Sequence, residues 1–133
     1  MENCIFCKIA NHEIPGKTIY EDDICLAFLD LSQTTDGHTL VIPKKHYQNI
    51  LEVDDDVLSH MIKVTKKIAN LLMNKLNANG INILTNANEV AGQTVMHFHL
   101  HIIPRYNSND TISISFTDRS DLIDLDVIKE KIV

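Results

Sequence analysis

From His97 to Ile103, polar and apolar residues alternate, with His97, His99 and His101 on one parity and Phe98, Leu100 and Ile102 on the other. A period of two marks a half-buried strand. Same-face neighbours on such a strand stand about 6.5–7 Å apart. The pattern therefore predicts a strand over residues 97–103, stopped by Pro104, with three imidazoles in a row opposite a core face. Three imidazoles are an expensive core element, because each ring has two nitrogens to satisfy.

The rest of the chain is read around this strand. Residues 1–17 hold one or two helical turns ending near Pro15-Gly16. Residues 18–20, 24–29, 38–42 and 81–85 are apolar enough to be strands, and the second and third of these suggest a hairpin with a long connection. Asp54-Asp55-Asp56 places carboxylates at a helix start. Val57, Met61, Val64, Ile68 and Leu71 follow at helical spacing, so a helix should run to about residue 77 and cover the sheet, with Asn79-Gly80 as its stop. An alternating piece at 111–116 and a short helix within 121–132 complete the tail. Strands joined by short loops around one long helix predict an antiparallel α+β fold.

Composition narrows the class. A chain of 133 residues is expected to form a single domain, 1–133, with its core at about 4–105 and a tail at 106–133. A hydrophobic share of 44% with 23% charged residues is that of a soluble globular protein. The net charge of −6 argues against nucleic acid or anionic lipid as partners. No run reaches the ~20 apolar residues of a membrane span, and no signal peptide is evident, so a cytoplasmic location is expected. Three cysteines in a reducing compartment disfavour disulfides, and Cys25, in an apolar run, reads as a small core residue.

Two constellations carry chemistry. The histidine row can hold a catalytic metal, supply a nucleophilic imidazole, or act as a pH-sensitive surface; the plain alternative is a solvated strand face. Cys4 and Cys7 form a C-x-x-C pair. With imidazoles from elsewhere, such a pair builds a closed zinc site, for which His46 and His97 are the candidate third and fourth ligands. A redox pair is the competing reading, but the expected βαβ context is missing. His38 heads a strand near Asp30. Asn86 and Gly92-Gln93-Thr94 can surround an anion beside the histidines, or simply form a turn.

Taken together, the chain resembles the histidine triad (HIT) family of nucleotidyl hydrolases and transferases. The His-x-His-x-His-x-x pattern is complete at 97–103. Ile5-Phe6-Cys7-Lys8-Ile9, Glu13-Ile14-Pro15, Ala27-Phe28-Leu29-Asp30, the block 37–44 and Ala91-Gly92-Gln93-Thr94-Val95 appear in the family's order. The resemblance implies a five-stranded antiparallel sheet with a long helix and a short N-terminal helix, paired as a homodimer with sheets joined across the interface. It implies attack at the α-phosphate of a purine nucleotide derivative, a phosphoramidate or dinucleoside polyphosphate, through a nucleotidyl-histidine intermediate that releases the nucleoside monophosphate. His99 is then the nucleophile and His101 binds a non-bridging phosphate oxygen or the leaving side, while His38 orients the cluster and His97 completes the triad. Asn86, Gln93 and Thr94 hold phosphate oxygens and the leaving group. Asp30 accepts from the ribose, and Phe6, Ile14 and Leu29 line the base pocket. Cys4, Cys7, His46 and His97 match the structural zinc set of metal-containing members, one ion per chain. Two other readings stay open: a zinc-dependent hydrolase using the three-histidine strand, and a non-catalytic nucleotide-binding regulator.

Overall fold

A computed structural model describes residues 3–133. Five strands form one antiparallel sheet: β1 (Thr18–Glu21), β2 (Cys25–Leu29), β3 (Thr39–Pro43), β4 (Gly80–Leu84) and β5 (Leu100–Arg105), in the order β1-β2-β3-β5-β4. Among the described residues three α-helices accompany it: α1 (Ile5–Ala10), α2 (Asp55–Lys75) and α3 (Leu125–Ile132). The α+β class, the β2–β3 pairing and the long helix agree with the sequence reading.

Strand alternation divides the core into two layers. Cys25 and Ala27 of β2, Val41 of β3, and Leu100 and Ile102 of β5 meet Met61, Val64, Ile68 and Leu72 of α2. Full burial of each such large side chain contributes roughly 2 kcal/mol. Leu26, Phe28, Leu40 and Ile42, on the opposite parity, pack with Phe6 and Ala10 of α1. Leu71 was expected on the α2 stripe but is exposed; Leu72, four residues after Ile68, takes that place.

Several boundaries differ from expectation. The ladder of β5 begins at Leu100, not His97, because pairing with β3 ends at Val41↔Leu100 and pairing with β4 at Leu84↔His101. Ahead of it, the Phe98 N–H donates to the Tyr47 carbonyl at 2.7 Å and Thr85 Oγ1 donates to the His99 carbonyl at 2.7 Å. The chain stays extended there, so the parity of the row survives without sheet pairing. Pro104 does not stop the strand. It pairs with Ile81 beyond the last β3 partner, where β5 is an edge on that side and a proline is tolerated. α2 is followed by Asn77 with φ of +55°, a left-handed residue that ends helices, and Gly80 opens β4. The alternating piece at 111–116 forms no ladder, since alternation without an adjacent sheet edge has nothing to pair with. None of the helices among the described residues is long and apolar enough to cross a membrane.

The turn that delivers β3 depends on Gly37, whose φ is +94°. A Cβ at this position overlaps the Leu76 side chain and crowds Pro104. Gly37→Ala is expected to destabilise the fold by about 2 kcal/mol, read as a lower urea midpoint at unchanged slope; an unaltered midpoint contradicts this.

Candidate active site

The row of histidines is ordered by its immediate neighbours. His99 and His101 lie with ring centroids 5.0 Å apart. Phe6 of α1 stands edge-on to His99 at 5.1 Å and to His97 at 6.0 Å. α1 is therefore one wall of the site. Its start is tied down by Cys4, whose Sγ accepts the Cys7 N–H at 3.3 Å.

Fixed donors and acceptors assign the tautomers. His99 Nδ1 lies 2.7 Å from the His97 carbonyl, which can only accept, so Nδ1 carries the proton and Nε2 the lone pair. The Thr34 N–H donates to His38 Nδ1 at 3.3 Å, so the neutral His38 ring holds its proton on Nε2. That nitrogen is 2.9 Å from His101 Nδ1 and donates to it, which leaves the His101 proton on Nε2. Two adjacent rings thus present unlike atoms, a bare nitrogen on His99 and an N–H on His101. Thr65 Oγ1 is the one fully buried side-chain polar atom without a partner among the described residues. The unpartnered Nε2 of His99 must therefore reach the surface.

Burial keeps these rings neutral. It pushes His97 and His101 down to about 4, and it lowers His99 and His38 as well. For His101 the nearby His99 and His38 add to the effect; for His38 the Asp30 carboxylate, 3.6 Å away, partly opposes it. At neutral pH the His99 lone pair is available, as a nucleophile requires.

The other expected residues fall unevenly around this centre. Asp30 is half-buried beside His38, and its Oδ1 accepts the Ser32 N–H at 2.9 Å. Leu29 and Ile14 are half-buried. Asn86 Nδ2 lies 3.4 Å from the Gly92 carbonyl and Thr94 is exposed, so both retain capacity for a ligand. Gln93 does not. Its amide is spent on the Gln48 and Val95 carbonyls at 2.6 and 3.0 Å, and on the Asn88 N–H at 2.8 Å. In this structure it staples the 86–95 loop, with its side chain turned inward.

Sequence reading missed several supports. Gln33 donates to the Asp30 and His38 carbonyls at 2.5 and 2.7 Å and accepts the Gly37 N–H at 2.8 Å, closing the loop that carries both side chains. Its place in a polar loop before glycine was the only signal. Thr34 and Pro43 act through backbone atoms, which leave none.

Cys4, Cys7, His46 and His97 converge at the far end of the row. The Cys4 and Cys7 sulfurs lie 3.3 and 3.4 Å from His97 Nδ1, and Cys7 Sγ lies 3.3 Å from His46 Nδ1. Tetrahedral zinc with its usual bond lengths sets an S···N edge of about 3.5 Å; these three edges match it, and all four ligand atoms lie within 4.8 Å of one another. His97 Nε2 donates to the Pro43 carbonyl at 2.9 Å, which frees Nδ1 to ligate. Burial, then the adjacent Cys4, push the Cys7 thiol up to about 11, so without a cation the Cys7 thiol is uncharged at neutral pH.

Asp30, His38 and His101 also cluster. However, the 2.9 Å between the two rings is a hydrogen bond, shorter than the ~3.3 Å that two imidazoles keep on one zinc. A single ion on His97, His99 and His101 meets a further obstacle: His97 is committed to the thiols and Pro43, and His99 Nδ1 to a carbonyl.

Comparison with known proteins identifies the family. The HIT domain model matches residues 11–108. Protein hit of Bacillus subtilis is 50% identical over 109 residues, covering 82% of this chain and 75% of that protein. Adenylylsulfatase HINT3 of Arabidopsis thaliana is 40% identical over 103 residues, 77% of this chain but about half (52%) of that protein. A HIT family protein from Bacillus anthracis superposes with a TM-score of 0.92 at 45% identity, covering 98% of this chain and 93% of the other. A Zn-bound histidine triad family protein from Mycobacterium smegmatis gives 0.79 at 37%, covering 90% and 87%. On its sequence, its five-stranded sheet and its histidine row, this chain belongs to the HIT domain family.

Proposed function

We propose that this protein is a nucleotidyl hydrolase, acting on purine nucleotide derivatives through a covalent histidine intermediate. One observation carries the reading: His99 is neutral, has its Nδ1 proton held by the His97 carbonyl, and offers a bare, accessible Nε2. The name of the HINT3 relative, an adenylylsulfatase, supports adenylyl chemistry.

In this mechanism Nε2 attacks the α-phosphorus, forming a P–N bond as the bond to the leaving group breaks. The leaving group takes its proton from solvent. The phosphorylated ring retains Nδ1–H and is cationic; the His97 carbonyl dipole stabilises that charge. The His101 N–H, aligned by His38, hydrogen-bonds a non-bridging oxygen, while Asn86 and Thr94 supply further donors. Asp30 receives the ribose hydroxyls, and Phe6, Ile14 and Leu29 flank the base. Water then displaces the imidazolium and releases the monophosphate, and solvent takes the proton. Gln93 serves by holding the loop.

Zinc on Cys4, Cys7, His46 and His97 has a structural role here, fixing α1 and the His97 carbonyl against the nucleophile. The Zn-bound mycobacterial relative and the tetrahedral fit support it. Assembly as a homodimer is part of the same proposal. β4 is a sheet edge carrying half-exposed Ile83, and α3 lacks any buried residue of its own. A second copy satisfies both needs.

The test is turnover of adenosine and guanosine 5′-phosphoramidates and of dinucleoside polyphosphates, repeated after exhaustive chelation with folding followed by circular dichroism. Monophosphate release that persists in the folded, chelated protein is expected. Its loss there favours a metal-dependent hydrolase, and tight monophosphate binding without any release favours a regulator.

A further inference from the structure

The segment that follows β5 folds back on itself. Asp110 Oδ2 accepts the Arg105 Nε–H at 3.0 Å and the Tyr106 N–H at 2.8 Å, and Arg105 Nη1 donates to Asn82 Oδ1 of β4 at 2.8 Å. Asn79 Nδ2 donates to the Tyr106 carbonyl at 2.6 Å. This bracket carries two hydroxyls to the connection between β2 and β3, residues 30–38. The Tyr106 hydroxyl donates to the Asp36 carbonyl at 2.5 Å, and Thr111 Oγ1 donates to the Thr34 carbonyl. A third hydroxyl ties the same connection to β5, because Thr35 Oγ1 donates to the Pro104 carbonyl at 2.6 Å.

That connection sets the direction of a hydrogen-bonded chain. The Thr34 N–H reaches His38 Nδ1 at 3.3 Å, at the long end for such a bond, so a displacement of a few tenths of an ångström removes it. His38 is buried, and a ring nitrogen there that loses its donor is costly to leave unpaired. The connection also presents an acceptor to the ring, the Ser32 carbonyl, so a proton moved to Nδ1 has a partner. His38 Nε2 would then accept across its 2.9 Å contact, His101 would donate from Nδ1, and His101 Nε2 would become bare. A donor aimed at phosphate would turn into a lone pair facing an anion. The Asp30 carboxylate, 3.6 Å from His38 Nε2, favours the proton there but lies beyond hydrogen-bonding distance.

Resting on the nucleotidyl-hydrolase reading for what this chain serves, we infer that Tyr106 and Thr111 are positioning residues. Their hydroxyls hold residues 34–36 so that His38 donates to His101 and His101 keeps its N–H for the phosphate. They act through the loop and not on the substrate.

The test is the double variant Tyr106→Phe, Thr111→Val, which removes both hydroxyls and little volume. Ring ¹⁵N NMR of His38 in the free protein reads the tautomer, and adenosine 5′-phosphoramidate reads turnover. The parent should carry the His38 proton on Nε2; the double variant should share it between the two nitrogens. Its kcat should fall about tenfold, part of the effect of losing one charge-stabilising donor, with KM within about twofold. Thr111→Ser retains the hydroxyl and should match the parent in both readings. A double variant that keeps the proton on Nε2, or one that raises KM while kcat holds, overturns the inference and leaves the nucleotidyl-hydrolase reading standing. A parent that releases no monophosphate overturns that reading, and the NMR comparison, which needs no turnover, then decides the tautomer claim.

Discussion

His99→Ala is expected to lower adenylyl turnover by about 10⁵-fold or more, the scale seen when a covalent nucleophile is removed. Nucleoside monophosphate binding should stay within about threefold, because the phosphate, ribose and base contacts come from other residues. The fold should tolerate the change. His99 lies on the α1 side of the row, outside the α2 core, and its ring makes one hydrogen bond, to the His97 carbonyl. The size of the effect distinguishes this account from one in which His99 only binds phosphate: loss of one charge-stabilising donor costs about 10²–10³-fold. His101→Ala should fall in that smaller range, since its N–H contributes a donor and forms no bond to phosphorus. Near-equal losses in the two variants would contradict the division of roles.

The double variant Cys4→Ser, Cys7→Ser should bind no zinc, against one ion per chain in the parent, and should melt about 10 °C lower or more. Two structural losses combine. Cys4 caps α1 through the Cys7 N–H, and α1 carries Phe6 against His99. The thiols also face His97 Nδ1, and His97 supplies the carbonyl that fixes the His99 tautomer. Turnover should therefore fall although neither cysteine touches substrate. Metal analysis checks the assignment directly; unchanged zinc content in the variant contradicts it.

Much of this architecture was legible in the sequence because two periods are physically unambiguous. Alternation at 97–103 sorted Phe98, Leu100 and Ile102 from the three histidines, and that sorting held even where sheet pairing was absent. The helical stripe placed α2, with an error of one residue at Leu71 because a single face drifts over five turns. Element ends were less visible. Asn77 stopped α2 through its backbone conformation, and Pro104 remained in β5 because its neighbour strand had already ended. Neither fact is local in sequence.

Within the candidate site, the residue types were readable but their hydrogen-bond commitments were not. Gln93 looked like a phosphate donor and is consumed by the loop. The tautomers of His38, His99 and His101 depend on the Thr34 N–H and the His97 carbonyl, groups that every residue possesses and no motif can mark. The grouping of Cys4, Cys7, His46 and His97 was accessible earlier, because thiol spacing restricts the chemistry sharply.

The measurement that bears most directly on the account is rapid-quench mass spectrometry of the protein during turnover of an adenylyl phosphoramidate, followed by peptide mapping under mildly basic conditions that preserve phosphorus–nitrogen bonds. A transient gain of one adenylyl group, located on His99 and absent from His99→Ala, is the predicted result. Turnover with no such adduct at any quench time, or an adduct carried by His101 or another residue, would contradict it.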